Sequence, residues 1–136
     1  MNPETKKKIL IVEDDRSLLL ALVEKFDREG FMVSSANNGI EGFSSALANH
    51  PDVILLDVLM PEMDGFTMLE KLRKTDEWGK KVQVIFLTNI TPASEKVMAQ
   101  ITQSEPAFYL VKSEHMLSDV VEKVHECMAA NERAVS

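Results

Sequence analysis

Five times along the chain, a short and mostly apolar run gives way to a stretch whose apolar residues recur at helical spacing, and the first run is unbroken. Ile9-Leu10-Ile11-Val12 opens the series. Leu18, Leu19, Leu22, Val23 and Phe26 follow at helical intervals, with Gly30 where a helix stop is expected. Phe31 to Ala36 is the second run, and Asn38-Gly39-Ile40-Glu41 has the form of a capping box leading a stripe of Ile40, Phe43, Ala46 and Leu47. Val53 to Leu56 is the third run, followed by Phe66, Leu69 and Leu72. Val82 to Leu87 is the fourth, before a helix that Thr91 would cap and Pro92 would open. Ala107 to Val111 is the fifth. Ser113 can then cap a last helix with a stripe of Leu117, Val120, Val121, Val124, Cys127 and Met128. A run apolar at every position is a strand covered on both faces, and strands alternating with helices require a parallel sheet with right-handed crossovers. The expected fold is α/β, a doubly wound five-stranded parallel sheet with five helices.

No composition break or long linker divides the 136 residues, so one domain is expected over 1–136, with a core at about 7–130 and loose polar ends at Met1 to Thr5 and Asn131 to Ser136. Acids outnumber bases 22 to 15, a net charge of −7. That sign disfavours nucleic acid and anionic membrane surfaces, which attract basic proteins. No stretch approaches the roughly 20 apolar residues of a membrane span. The one cysteine, Cys127, excludes an internal disulfide and fits a reducing cytoplasm. His50, His115 and His125 lack ligand spacing with one another or with Cys127, so a zinc site is not expected. Met98 and Met128 fit core stripes, Met60 and Met63 flank the loop after Asp57, and Trp78 falls in a polar loop.

Ligands of open α/β sheets bind at the carboxyl ends of the strands. There the chain places Glu13, Asp14 and Asp15 after the first run, Asp57 after the third, Thr88 after the fourth and Lys112 after the fifth. If the first and third strands are neighbours, Glu13, Asp14 and Asp57 converge. Two like charges about 5 Å apart repel by roughly 3 kcal/mol at an effective dielectric of 20. Lys112 offsets one charge, and a hard divalent cation with oxygen ligands, most simply Mg²⁺, would offset the rest. Asp15 alone reads as an acid favoured by a helix N-terminus.

Lys8 to Asp15, Asp57-Val58-Leu59-Met60-Pro61 with Glu62-Met63-Asp64-Gly65, Leu87-Thr88, and Tyr109-Leu110-Val111-Lys112 resemble the receiver domain of bacterial two-component response regulators, from about Lys7 to about Ala130. The resemblance implies a flavodoxin-like sheet of order 2-1-3-4-5. It implies that Asp57 accepts a phosphoryl group from a phosphohistidine on a sensor histidine kinase or phosphotransfer protein. Asp14, Asp57, Glu13 (partly through water) and the Leu59 carbonyl would hold Mg²⁺, Thr88 would bond the phosphoryl oxygens and Lys112 would pair with the phosphate. Thr88 and Tyr109 would form the switch. The face of the fourth helix, fifth strand and fifth helix would signal to an unknown downstream protein and could serve as a homodimer face. Such a domain is a switch and not a turnover enzyme. Two alternatives are a degenerate receiver that binds a partner without phosphorylation and an aspartyl-phosphate phosphohydrolase. The latter places a second aspartate where this chain has Leu59.

The chain departs from the family pattern at three places. Asn89 follows the threonine where a small residue is common. Ser113 stands where proline usually gives a cis peptide. Gln103-Ser104-Glu105-Pro106-Ala107 replaces a small-residue segment. A cis bond before serine costs about 3 kcal/mol, against 0.5–1 before proline, so a trans bond is expected after Lys112. Leu59 and Ile90 occupy positions that govern the hydrolytic water in the family. Both are apolar, which implies slow self-dephosphorylation.

Overall fold

The structure, a computed structural model, describes residues 6–91 and 94–135, with side-chain surroundings up to residue 130. Its strands are β1 (Lys8–Val12), β2 (Met32–Ala36), β3 (Val53–Leu56), β4 (Gln83–Thr88) and β5 (Phe108–Val111). The helices are α1 (Arg16–Arg28), α2 (Gly39–Asn49), α3 (Gly65–Arg73), α4 (Glu77–Lys81), α5 (Glu95–Ser104) and α6 (Leu117–Val135). The strands are all parallel, in the order β2-β1-β3-β4-β5. Val12 pairs with Leu56, Leu56 with Phe86, and Thr88 with Val111, so the three central strands and β5 end close to one line.

Because neighbouring side chains point to opposite faces, the unbroken runs feed two cores. Ile9, Ile11, Val53, Leu55, Ile85 and Leu87 face one side, against Leu22 and Phe26 of α1 and Val120, Val124 and Cys127 of α6. Leu10, Val12, Ile54, Leu56, Val84 and Phe86 face the other, against Ala46 of α2 and Met68, Leu69 and Leu72 of α3. Each fully buried aliphatic side chain contributes about 1.5–3 kcal/mol, which pins the sheet between its two helical layers.

Several local expectations are corrected. Asn38 does cap α2, accepting from the Glu41 amide at 2.8 Å, but Ile40 and Leu47 are exposed. The helix turns Gly39, Gly42 and Ala46 inward, with Phe43 half-buried. A Cβ on Gly42 would lie 2.9 Å from both Val12 methyls, so the missing side chain lets α2 approach β1. Thr91 does not cap α5. The helix begins at Glu95, where Ser94 accepts from the Val97 amide at 3.1 Å, and Pro92 lies outside the described residues.

Ser113 does not cap α6 either. It sits in a 3₁₀ turn, Lys112–Glu114, and Asp119 accepts from the Met116 amide as α6 starts. The segment around Trp78 is a sixth helix and not a loop. Five residues are too few to display a periodic stripe, yet Asp76 caps the Gly79 amide at 2.8 Å and Trp78 Nε1 donates to the Pro51 carbonyl at 3.3 Å. His50 stacks flat on Trp78, with centroids 4.2 Å apart. Met98 is 48% exposed and is not core, whereas Met128 is buried. α6 continues to Val135, through residues expected to be loose, while Met1 to Thr5 lie outside the described residues. Among the described residues no helix is long and apolar enough to cross a membrane.

Candidate functional site

The sheet's hydrogen bonding runs one residue past the strand ends and fixes two acids. The Glu13 amide donates to the Ala36 carbonyl and the Asp57 amide to the Val12 carbonyl, both at 3.0 Å. Both side chains are buried, Glu13 at 2% and Asp57 at 5% exposure. Lys112 Nζ, arriving from the end of β5, lies 2.8 Å from Glu13 Oε1 and 3.1 Å from Asp57 Oδ2. Asp14 is exposed beside them, and carboxylate oxygens of Glu13, Asp14 and Asp57 all lie within 4.8 Å of one another. Asp15 is the N-cap of α1, accepting from the Leu18 amide at 3.2 Å, and its own amide donates to Glu13 Oε2 at 3.1 Å.

Three acids against one lysine leave the pocket short of positive charge. Burial pushes the Glu13 carboxyl up to about 7, although its hydrogen bonds from Lys112 and Asp15 pull the other way. For Lys112 burial acts downward, but the hydrogen bond to Glu13 and the charge of Asp57 outweigh it and raise the ammonium. Asp57 Oδ1 is buried with no hydrogen-bond partner among the described residues. A buried carboxylate oxygen left bare is costly unless something outside the protein's own groups engages it. The donors around it are hard oxygens, the set that suits Mg²⁺. The residues therefore fit a divalent cation held by Asp14 and Asp57, with Glu13 beside them.

Thr88 is fully buried at the end of β4, and its Oγ1 accepts from the Ile90 amide at 3.4 Å. Tyr109 is half-buried against Phe86, with ring centroids 5.8 Å apart, and its hydroxyl donates to the Ile90 carbonyl at 2.7 Å. The Ile90 main chain thus touches Thr88 through its amide and Tyr109 through its carbonyl. Sequence reasoning missed that joint, because main-chain groups leave no side-chain signal. Burial, and next the charge of Asp57, raise the Tyr109 phenol above its ordinary value.

The loop after Asp57 folds tightly. Gly65 donates to the Val58 carbonyl at 2.8 Å, and a side chain at Gly65 would run into the Asp57 carbonyl. Met63 donates to the Pro61 carbonyl at 2.8 Å across Glu62, whose φ is 70°, a strained three-residue turn. The Leu59 side chain points out and is 61% exposed. The described residues contain no cis peptide, so the bond after Lys112 is trans, and Lys112 still reaches both acids. Asn89 is exposed. The three histidines serve elsewhere: His50 on Trp78, His125 at 3.2 Å from Glu29, and His115 at 3.0 Å from the Val111 carbonyl.

Residues 9–125 match the family model described as "Response regulator receiver domain". The chain is 44% identical over 80 residues to a "Probable transcriptional regulator ycf29" of Porphyra purpurea, covering 59% of this chain and 38% of that protein. It is 35% identical over 82 residues to "Sporulation initiation phosphotransferase F" of Bacillus subtilis, covering 60% and 64%. The chain therefore spans less than two-thirds of the length of each of these relatives. Among solved structures, a CheY-like response regulator receiver domain protein of Methanospirillum hungatei superposes with a TM-score of 0.86 at 26% identity, covering 96% of this chain and 99% of that one. The family match spans the acidic pocket, the buried threonine and the lysine that closes it, and the chain belongs to the response regulator receiver domain family.

Proposed function

We propose that this receiver domain is a phospho-accepting switch. Asp57 takes a phosphoryl group from a phosphohistidine on a sensor histidine kinase or phosphotransfer protein. The observation that carries the reading is the pairing of one anchored and one bare oxygen on Asp57: Oδ2 on Lys112 and Oδ1 on nothing. A carboxylate so held is oriented yet keeps a free lone pair for attack on phosphorus. The new bond is P–O and the broken one is P–N, whose electron pair leaves on the imidazole with a proton from solvent. Mg²⁺ bound by Asp14 and Asp57, with Glu13 and the Leu59 carbonyl assisting, would neutralise charge on the phosphoryl oxygens.

Lys112 supplies a fixed cation beside the transferring group. Thr88 Oγ1, spending only a long contact on Ile90, is free to donate to a phosphoryl oxygen. When it does so, the Ile90 peptide and the Tyr109 hydroxyl lose or change their anchor, and the face formed by α5, β5 and α6 changes shape. That face would meet a downstream protein or a second copy of the chain. The domain works as a cytoplasmic switch and catalyses only its own phosphorylation and dephosphorylation. The similarity to a relative named a phosphotransferase supports the phosphoryl-accepting role of the domain.

Incubation with acetyl phosphate and Mg²⁺, followed by intact mass measurement, tests it. One phosphoryl adduct is expected on the wild type and none on Asp57→Asn or in the presence of chelator. An unmodified wild type, or an adduct that survives Asp57→Asn, would overturn the assignment.

A further inference from the structure

Three helices end at one guanidinium. Arg73 is the last residue of α3. Its Nη1 donates to the carbonyls of Gly79 at 3.0 Å and Val82 at 2.8 Å, where α4 stops. Its Nε and Nη2 donate to the carbonyls of Ser104 at 3.4 Å and Glu105 at 3.2 Å, where α5 stops. The last carbonyls of a helix have no partner within it and carry its partial negative charge. A planar guanidinium with five donors can satisfy two such ends at once, and an ammonium cannot match that fork.

The remainder of α5 is held far less firmly. Ser104 is its one buried residue, and the Ser104 hydroxyl folds back onto the Gln100 carbonyl at 2.6 Å. Val97, Gln100 and Ile101 are half-buried and Met98 is 48% exposed. A groove of about 250 Å³ separates α5 from α3, with Phe66, Glu70, Gln100 and Gln103 along it. The helix is therefore fastened at its carboxyl end and lightly packed along its length. Upstream of its amino end lies the Ile90 main chain, whose amide meets Thr88 and whose carbonyl meets Tyr109.

We propose that Arg73 is the pivot of α5, a positioning residue that fixes the carboxyl end of the helix to α3 and α4 and leaves the amino half to swing. The fastening stands on the contacts just given. The swing rests on the proposed phospho-switch, in which rearrangement at Thr88 and Ile90 drives it.

Residue-resolved amide exchange on the full chain separates the two parts. Without metal, Arg73→Met is expected to speed exchange at Ile101 to Ser104 by about tenfold or more, the loss of charge-assisted hydrogen bonds at a helix end. Arg73→Lys should recover only part of that protection. Arg28→Met, which removes an exposed ion pair on α1, should leave α5 unchanged. Protection at Ile101 to Ser104 equal to wild type, or a proportional loss in α1 and α6, would overturn the pivot. If Arg73→Met fails to fold, Arg73→Lys decides by the same criteria.

With Mg²⁺ and beryllofluoride, the wild type should change most at Val97 and Met98 and least at Ser104, and Arg73→Lys should flatten that gradient. A gradient that persists unchanged in Arg73→Lys refutes the pivot. No response in the wild type refutes the phospho-switch, while the metal-free comparison still decides the fastening.

Discussion

Asp57 has one oxygen on Lys112 and another on nothing, and the residues around it were legible to very different degrees. Glu13, Asp57, Thr88 and Lys112 could be placed from sequence because each directly follows or ends an apolar run. Their convergence further requires β1 and β3 to be neighbours, after which strand register brings them together. Tyr109 could be placed on a strand but not on a face, since a residue of a short edge strand can cover either side. Its hydroxyl on the Ile90 carbonyl is a main-chain contact that no pattern announces. Cys127 is buried as its stripe suggested, and burial pushes its thiol up to about 11, so it stays protonated and unreactive at neutral pH.

Leu59 follows Asp57 by two residues in the loop after β3. The side chain is 61% exposed, so replacing it disturbs no packing, and an apolar group there cannot orient a water towards the phosphoryl group. Leu59→Asn should speed loss of label from the phosphorylated protein several-fold while leaving the unfolding midpoint unmoved. An unchanged decay rate would mean that water is positioned from elsewhere.

At the scale of elements, hydrophobic periodicity identified which segments are helices better than it identified which face they bury. In α2 the expected stripe was right at Ala46 and partly at Phe43 but wrong at Ile40 and Leu47, and the helix packs through Gly39 and Gly42 as well. Close approach of two backbones rewards absent side chains, and a hydrophobicity pattern cannot register an absence. The caps failed for a related reason, because any hydroxyl near a helix start is a candidate. Ser94 and not Thr91 serves α5, while Ser113 is taken up in a 3₁₀ turn. Gly42→Ala tests the packing argument directly. Alanine gains about 1 kcal/mol of helix propensity over glycine. Its methyl would sit 2.9 Å from the Val12 methyls and 3.1 Å from Met68 Sδ, and overpacking costs about 1–3 kcal/mol. The net expectation is destabilisation of about 1 kcal/mol by denaturant titration. Ile40→Gln, on the exposed side, should stay within about 0.5 kcal/mol of wild type.

For the whole molecule, periodicity dictates a parallel sheet and the hand of its crossovers, but not which strand lies beside which. The order β2-β1-β3-β4-β5 was legible only through the family motifs, and it is this order that makes β1 and β3 neighbours and gathers the acids. The gathering sets function against stability. Carboxylates of Glu13, Asp14 and Asp57 lie within 4.8 Å of one another with one lysine among them, so the metal-free fold carries repulsion that Lys112 relieves only in part. A cation that binds only the folded state stabilises it by mass action, about 2.7 kcal/mol at a hundred times its dissociation constant. Asp14 is the exposed member, so its carboxylate can be neutralised without burying an unpaired amide. Asp14→Asn should therefore raise the melting temperature of the chelated protein and lose most of the rise that Mg²⁺ gives the wild type. Calorimetry with and without Mg²⁺ reads both effects. A variant that melts lower than wild type in chelator, and still gains as much from Mg²⁺, would place the cation elsewhere and relieve Asp14 of any part in holding it.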